Sequence, residues 1–185
     1  IQKLNFLMTK QLNRVQDRAW IATIKLHPKP GMKYIDRKRV DGHGSIKKIF
    51  DEVYKNFKGV KEKKRNDSEW LKTNIHYAGE LLLGHLRYGT HGKNSKQNCH
   101  PFHRRNNWIN RNLVVAGNFN LTNVDELFEK LVSFGQYPNE KMDTVTVLEK
   151  IGHFLDDEVQ RLFDWYRAEH DSGNEITNLI CDNMN

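Results

Sequence analysis

The densest set of chemically capable side chains lies at residues 84–92, which read Gly-His-Leu-Arg-Tyr-Gly-Thr-His-Gly. Arg87 comes at the end of an aliphatic stretch, and Gly-Thr and a further glycine follow it within five residues. An arginine at a strand end, beside backbone groups that glycines leave open, can hold a carboxylate through two parallel hydrogen bonds. The segment therefore indicates a carboxylate-binding site around Arg87.

A second segment, residues 117–123, reads Gly-Asn-Phe-Asn-Leu-Thr-Asn and leads from an aliphatic stretch into an amphipathic one. The side-chain amide of Asn118 and the backbone N–H of Phe119 are two donors that can point at one position, as in an oxyanion hole. Asp143 opens the last long helical pattern. Its carboxylate is a candidate for binding a ligand's ammonium group, with helix capping as the alternative.

Hydrophobic periodicity predicts the elements that must position these residues. Alternation predicts a half-buried strand at residues 19–26, with Thr23 and Lys25 on its polar face. Thr122 and Asp125 resemble a capping box before a helix. Further strands are expected at 81–88 and 113–116, and helices at 4–15, 46–57, 124–134 and 147–166. Because strands and helices do not alternate strictly, the pattern favours an α+β fold.

Length and composition narrow the class of protein. The chain has 185 residues, a net charge of +7 and a size that suits one domain. No apolar run approaches the roughly 20 residues of a membrane span. Two cysteines cannot form a disulfide framework, which indicates a reducing compartment and a cytoplasmic protein.

Taken together and in order, the segments resemble the class II glutamine amidotransferases, most closely the glutaminase domain of amidophosphoribosyltransferases. The resemblance extends over about residues 4–155 and rests on five matching segments: residues 11–17, 84–92, 100–102, 118–123 and 142–145. It implies an Ntn-hydrolase fold, a four-layer αββα sandwich of antiparallel sheets that here lacks its first strand. It also implies hydrolysis of glutamine and transfer of the ammonia to an acceptor, phosphoribosyl diphosphate in purine biosynthesis.

The same resemblance assigns roles to individual residues. Arg87 would hold the glutamine α-carboxylate, with Tyr88 and Thr90 beside it, and Asp143 would bind the α-ammonium group. Asn118 and the backbone N–H of Phe119 would form the oxyanion hole. The positions matching the family's structural motifs are Arg14, Asp17 and His85.

Several departures from the family pattern shape the expectation for this chain. The family's nucleophile is an N-terminal cysteine, and Cys99 lies in mid-chain without a free α-amine. Phe119 replaces a glycine of the family pattern. We therefore expect residues 1–170 to be a partial amidotransferase domain with a Lys-rich insertion at 55–68, and residues 171–185 a polar, poorly ordered tail. Such a fragment would show no glutaminase activity by itself.

The expected partners are glutamine and the synthase domain of the same chain, with a homo-oligomer as the candidate assembly and no membrane. No cofactor is expected in this domain, since Mg²⁺ belongs to the missing phosphoribosyltransferase domain.

Three alternatives stay open. A metal site would draw on His85, His91, Cys99, His100 and His103. A nucleic-acid-binding module would use Trp108 among Arg104, Arg105 and Arg111, but it lacks a fold signature. A non-catalytic amidotransferase scaffold would keep the fold for interaction alone.

Overall fold

The computed structural model describes residues 1–12, 18–87, 100–117 and 120–183. The chain divides into two compact units, Ile1–Pro101 and Phe102–Asn185. The described helices are α1 (Gln2–Lys10), α2 (Ser45–Lys55), α3 (Glu62–Arg65), α4 (Ser68–Asn74), α5 (Val124–Ser133), α6 (Asp143–Arg167) and α7 (Gly173–Asn183). The described strands are β1 (Arg18–Ile24), β2 (Ile35–Asp41), β3 (Leu81–Arg87), β4 (Phe102–Arg104) and β5 (Leu113–Val115).

The first unit is built on a three-stranded antiparallel sheet in the order β2-β1-β3. Its central strand β1 is buried on both faces, including Thr23 at 0% and the neighbouring Lys25 at 4% exposure. The prediction of a half-buried strand was therefore wrong. Alternation of apolar and polar residues does not show whether a strand is paired on both edges or whether both of its faces are buried.

Helices α1 and α2 complete the core of this unit. The apolar side of α2, with Ile49 and Phe50, packs with Ile21 of β1 and Met8 of α1. Helix α1 also contacts β3. A Cβ at Gly84 would lie 2.6 Å from the Met8 sulfur, so this glycine makes room for the helix. Gly84, which the sequence places in the reactive segment, thus has a packing role.

A buried carboxylate anchors the segment that precedes β3. Asp36 on β2 is 1% exposed. Its side chain accepts a hydrogen bond from the backbone N–H of Tyr77 at 2.9 Å and lies 3.0 Å from Nδ1 of His76. The Lys33 ammonium is 2.8 Å away. Burial alone would raise the pKa of Asp36, but these partners outweigh it and hold the pKa below its ordinary value.

The second unit pairs β4 with β5 in an antiparallel ribbon, and the long helix α6 packs against both strands and against α5 and α7. Residues 173–183, which we expected to be a poorly ordered tail, instead form α7. Its Ile176 and Ile180 are fully buried against Val159 of α6. The segment is mostly polar, and this composition led to the wrong prediction. Its two isoleucines lie four residues apart, which is enough to form one contact face on a helix.

The architecture confirms a mixed α and β fold with antiparallel sheets, whereas the four-layer sandwich stays a prediction. The expected capping box is wrong: α5 begins after Asn123 without a side-chain cap. None of the helices in the described part combines the length and the apolar composition that a membrane crossing requires.

Candidate functional site

The backbone of the sheet fixes the position of Arg87. Arg87 is the last residue of β3, and antiparallel pairing places it opposite Arg18 of β1. The Arg18 guanidinium lies 3.8 Å from the Asp41 carboxylate. Because Arg87 belongs to a strand that is paired to the central strand, its backbone is held in place. A binding residue that must be preorganised requires such support.

Three aromatic rings stack beside this strand end. The rings of Trp20 and His85 are 5.4 Å apart, and those of His85 and His100 are 4.9 Å apart. Burial lowers the pKa of His100 to about 4, and the nearby His85, Arg87 and Arg39 contribute further lowering. Burial, with a smaller effect from Arg87, also lowers the pKa of His85. Both imidazoles are therefore neutral at pH 7.

Two arginines of β2 hold the residue after His100. Nη1 of Arg37 and Nη2 of Arg39 donate hydrogen bonds to the carbonyl oxygen of Pro101, at 3.2 Å and 3.0 Å. Neither arginine is among the predicted site residues, because the hydrophobic pattern predicts no strand at 35–41. The missed signal was their spacing of two residues, which puts both on one face of a strand.

These residues form a basic cluster within the first unit, which we define as Arg37, Arg39, Arg87, His85 and His100. Guanidinium groups keep their charge at any physiological pH, while the two histidines are neutral. The positive charge of the cluster therefore comes from its three arginines, two of which also hold the Pro101 carbonyl. That chemistry suits a carboxylate or another small anion.

The metal alternative finds no support among the described residues. No group of three metal-ligating side chains occurs in the part of the chain that the structure describes. His85 and His100 stack face to face, so their ring nitrogens do not converge as ligands of one ion would. His103 lies on β4, in the second unit. His91 and Cys99 lie outside the described residues.

Asp143 is the first residue of α6, and Met142 takes the N-cap position. The Asp143 carboxylate accepts a hydrogen bond from the backbone N–H of Leu121. The capping alternative was thus wrong, and one carboxylate oxygen has a structural partner in the segment before α5. The proposed contact with a ligand's ammonium group stays a prediction.

Two basic residues of the second unit, Arg104 and Arg111, are occupied by contacts within that unit. The Arg104 guanidinium pairs with Glu149 and with both carboxylate oxygens of Asp156 on α6. The hydrogen bond that Arg104 donates to Asp156 is the largest of the causes that raise the pKa of Arg104. Arg111 lies over the Trp108 ring, 4.8 Å from its centre. A tryptophan covered in this way is a poor stacking platform for a base, which counts against the nucleic-acid alternative.

The remaining predicted site residues lie outside the described part of the chain. They are Arg14, Asp17, Tyr88, Thr90, Asn118 and Phe119. Of the predicted set, the structure describes His85, Arg87 and Asp143. It brings His85 and Arg87 together in the basic cluster, while Asp143 belongs to the second unit.

Comparison with known proteins identifies similar sequences. Residues 55–167 match the family described as glutamine amidotransferases class-II. A glutamine–fructose-6-phosphate aminotransferase (isomerizing) of Sulfurisphaera tokodaii is 33% identical over 90 residues, which are 49% of this chain and 14% of that protein. The corresponding enzyme of Methanococcus maripaludis is 32% identical over 82 residues, 44% of this chain and 12% of that protein. The matched segments thus span about one eighth of the length of these relatives.

Proposed function

Because the chain belongs to the class-II glutamine amidotransferases, we propose that it binds L-glutamine and that Arg87 pairs with the α-carboxylate. The observation that supports this most is the basic cluster, where Arg87 is near enough to His85 and His100 to lower the pKa of both, so that it stands beside two neutral imidazoles. A carboxylate matches a guanidinium in geometry and charge.

The other roles rest on the sequence resemblance. We assign Tyr88 and Thr90 to glutamine binding, and Asn118 with the Phe119 backbone N–H to the oxyanion of the hydrolysis step. Asp143 is assigned to the α-ammonium group. Arg14, Asp17 and His85 are assigned to positioning.

For the whole protein we propose transfer of glutamine-derived nitrogen to a phosphorylated sugar. Both relatives are named as glutamine–fructose-6-phosphate aminotransferases, which points to fructose 6-phosphate as the acceptor. The sequence motifs around Tyr88 point to phosphoribosyl diphosphate and purine biosynthesis. Both acceptors carry phosphate on a sugar, and the glutamine half of the reaction is common to them.

Glutamine binding by this chain is the first test, since binding requires no nucleophile. Titration calorimetry would compare L-glutamine with L-glutaminamide, which has an amide in place of the α-carboxylate. We expect binding of L-glutamine only, weakened roughly 10- to 100-fold in Arg87→Ala because a charge-assisted hydrogen bond contributes about 1.5–3 kcal/mol. The exposed Arg105 provides the control: Arg105→Ala removes the same charge and should bind like the wild type.

Equal binding of the two ligands, or wild-type affinity in Arg87→Ala, would refute the role given to Arg87.

Identifying the acceptor requires an experiment on the full-length protein. Glutamate release would be measured with fructose 6-phosphate and, separately, with phosphoribosyl diphosphate; only the true acceptor should yield its aminated product. Glutamine binding without hydrolysis in the full-length protein would favour the non-catalytic scaffold.

A further inference from the structure

Helix α6 carries a row of exposed side chains beside its packed face. We call the α6 stripe the residues Ile151, Phe154, Glu158, Arg161 and Trp165. They follow one another at intervals of three and four residues, which places them on one side of the helix. The three apolar members are 44%, 60% and 62% exposed. Glu158 and Arg161 form an ion pair within the helix and are also about half exposed.

The stripe is separate from the face that α6 uses inside its own unit. That face carries Leu148, Gly152 and Val159, all buried. Large apolar residues in a row on a charged helix are the pattern of a helix–helix seam rather than of a solvated surface. Phe154 contacts the Lys150 ammonium and Trp165 stacks on Tyr166, yet both rings keep about 60% of their surface exposed, so most of the stripe surface is left for a partner.

Four of the five stripe residues form two symmetric pairs, and Ile151 lies beyond them without a counterpart in the stripe. Glu158 and Arg161 lie at equal distances from the midpoint between Val159 and Gln160, and so do Phe154 and Trp165. In an antiparallel pair of identical helices with its two-fold axis at that midpoint, each residue faces its counterpart. Phe154 then faces Trp165 of the second copy, and Glu158 faces Arg161 of the second copy. Opposite charges meet at the centre, and aromatic rings meet on both sides of it.

We propose that the α6 stripe is a dimer interface whose occupant is the α6 stripe of a second copy of this chain. A two-fold interface must be self-complementary, and this stripe is so in both charge and apolar character. One helix pair buries less than the roughly 1,200–2,000 Å² of a standard interface, so we expect a weak dimer, with a dissociation constant on the order of 10–100 µM. This proposal is independent of glutamine binding.

Sedimentation velocity from about 5 µM to about 500 µM tests the dimer directly, since the range brackets that dissociation constant. Glu158→Arg and Arg161→Glu each place like charges opposite one another at two points. Each should weaken dimerisation at least about tenfold. The double variant Glu158→Arg/Arg161→Glu restores opposite charges across the axis and should recover the dimer.

The matched control is Glu126→Arg on α5. It changes the charge by the same amount at an exposed position on another helix of the second unit. This variant should dimerise like the wild type, and circular dichroism would confirm that every variant is folded. A wild-type chain that stays monomeric at the highest concentration overturns the proposal. So does a single reversal with wild-type affinity, or a folded double variant that stays monomeric.

Discussion

Oδ2 of Asp143 lies 2.8 Å from the backbone nitrogen of Leu121. This hydrogen bond joins the first residue of α6 to a residue just two positions beyond Phe119, which the sequence resemblance assigns to the oxyanion hole. Asp143 therefore has a structural task whether or not it binds an ammonium group. If replacing Asp143 abolishes glutamine binding, the cause could therefore be either this lost hydrogen bond or a lost contact with the ligand, and the two must be measured separately.

Replacement of Asp143 measures that structural task. In Asp143→Ala the Leu121 N–H loses its acceptor, and we expect its amide hydrogen to exchange about tenfold faster, as loss of about 1.4 kcal/mol of protection implies. Asp143→Asn is the matched control because it keeps an oxygen acceptor and should retain most of the protection. Exchange of the Leu121 amide would be followed by NMR, and wild-type protection in Asp143→Ala would contradict the prediction.

The buried carboxylate of Asp36 should contribute strongly to stability. Asp36→Ala removes a fully buried carboxylate and leaves the half-buried Tyr77 N–H without its acceptor, while the more exposed His76 ring can turn to solvent. We expect the free energy of unfolding to fall by about 2–3 kcal/mol. Asp51→Ala is the control. It removes an exposed carboxylate that pairs with Lys47 within α2, and should cost less than about 0.5 kcal/mol. Urea unfolding compares them, and equal costs would remove the special role of Asp36.

Gly152 gives the Arg104 side chain space against α6. A Cβ at Gly152 would lie 2.5 Å from Cδ and Nε of Arg104. The ion pairs with Glu149 and Asp156 restrain Arg104 from moving away. We expect Gly152→Ala to lower the free energy of unfolding by about 1 kcal/mol, because overpacking outweighs the helix-propensity gain of alanine.

A double-mutant cycle isolates this clash. In an Arg104→Ala background the obstacle is gone, so Gly152→Ala should there be neutral or stabilising, by up to about 1 kcal/mol. The two free energies of unfolding would be measured by urea denaturation. The same destabilisation in both backgrounds would show that Arg104 is not the neighbour that limits residue 152.

The buried His100 should make the first unit sensitive to acid. Its pKa of about 4 in the folded chain is below the ordinary 6.5, so the unfolded chain binds the proton more readily. This contribution to stability is complete above pH 6.5 and is lost as the pH falls from 6.5 toward 4. The slope contributed by His100 is at most about 1.4 kcal/mol per pH unit. The lowered pKa of His85 acts in the same direction.

Two replacements separate the titration of His100 from its stacking. His100→Phe keeps an aromatic ring beside His85, and His100→Gln does not; neither side chain takes up a proton. Both should show a shallower loss of stability between pH 7 and pH 5 than the wild type, measured by urea unfolding. A wild-type slope in both variants would mean that His100 is not the group that responds to acid.

Hydrophobic periodicity predicted the helices and strands whose apolar residues recur at regular intervals. Helix α6 and strand β1 were found in this way because their apolar residues recur regularly. Strand β2 was missed because Arg37, Lys38 and Arg39 dominate it, and the sheet rather than hydrophobicity holds it in place. A strand made mostly of charged residues lacks the alternation of apolar and polar residues from which strands are predicted.

For the site, the sequence predicted the strand that ends at Arg87 but not the surroundings of that residue. The stack of Trp20, His85 and His100 joins residues separated by up to 80 positions, and no local pattern encodes such a contact. The metal alternative arose from the same histidines. For His85 and His100, closeness in sequence did not bring the ring nitrogens together, because the rings contact through their faces. His91 and Cys99 lie outside the described residues.

The strand order β2-β1-β3 also has a consequence during synthesis of the chain. The hairpin of β1 and β2 is complete once Asp41 has left the ribosome, but the other edge of β1 must wait for β3, which ends 46 residues later at Arg87. At the usual rate of translation that interval lasts roughly 2–9 s. During this interval one edge of the apolar strand β1 exposes unpaired backbone groups. A nascent chain of this length therefore presents the kind of surface that chaperones bind.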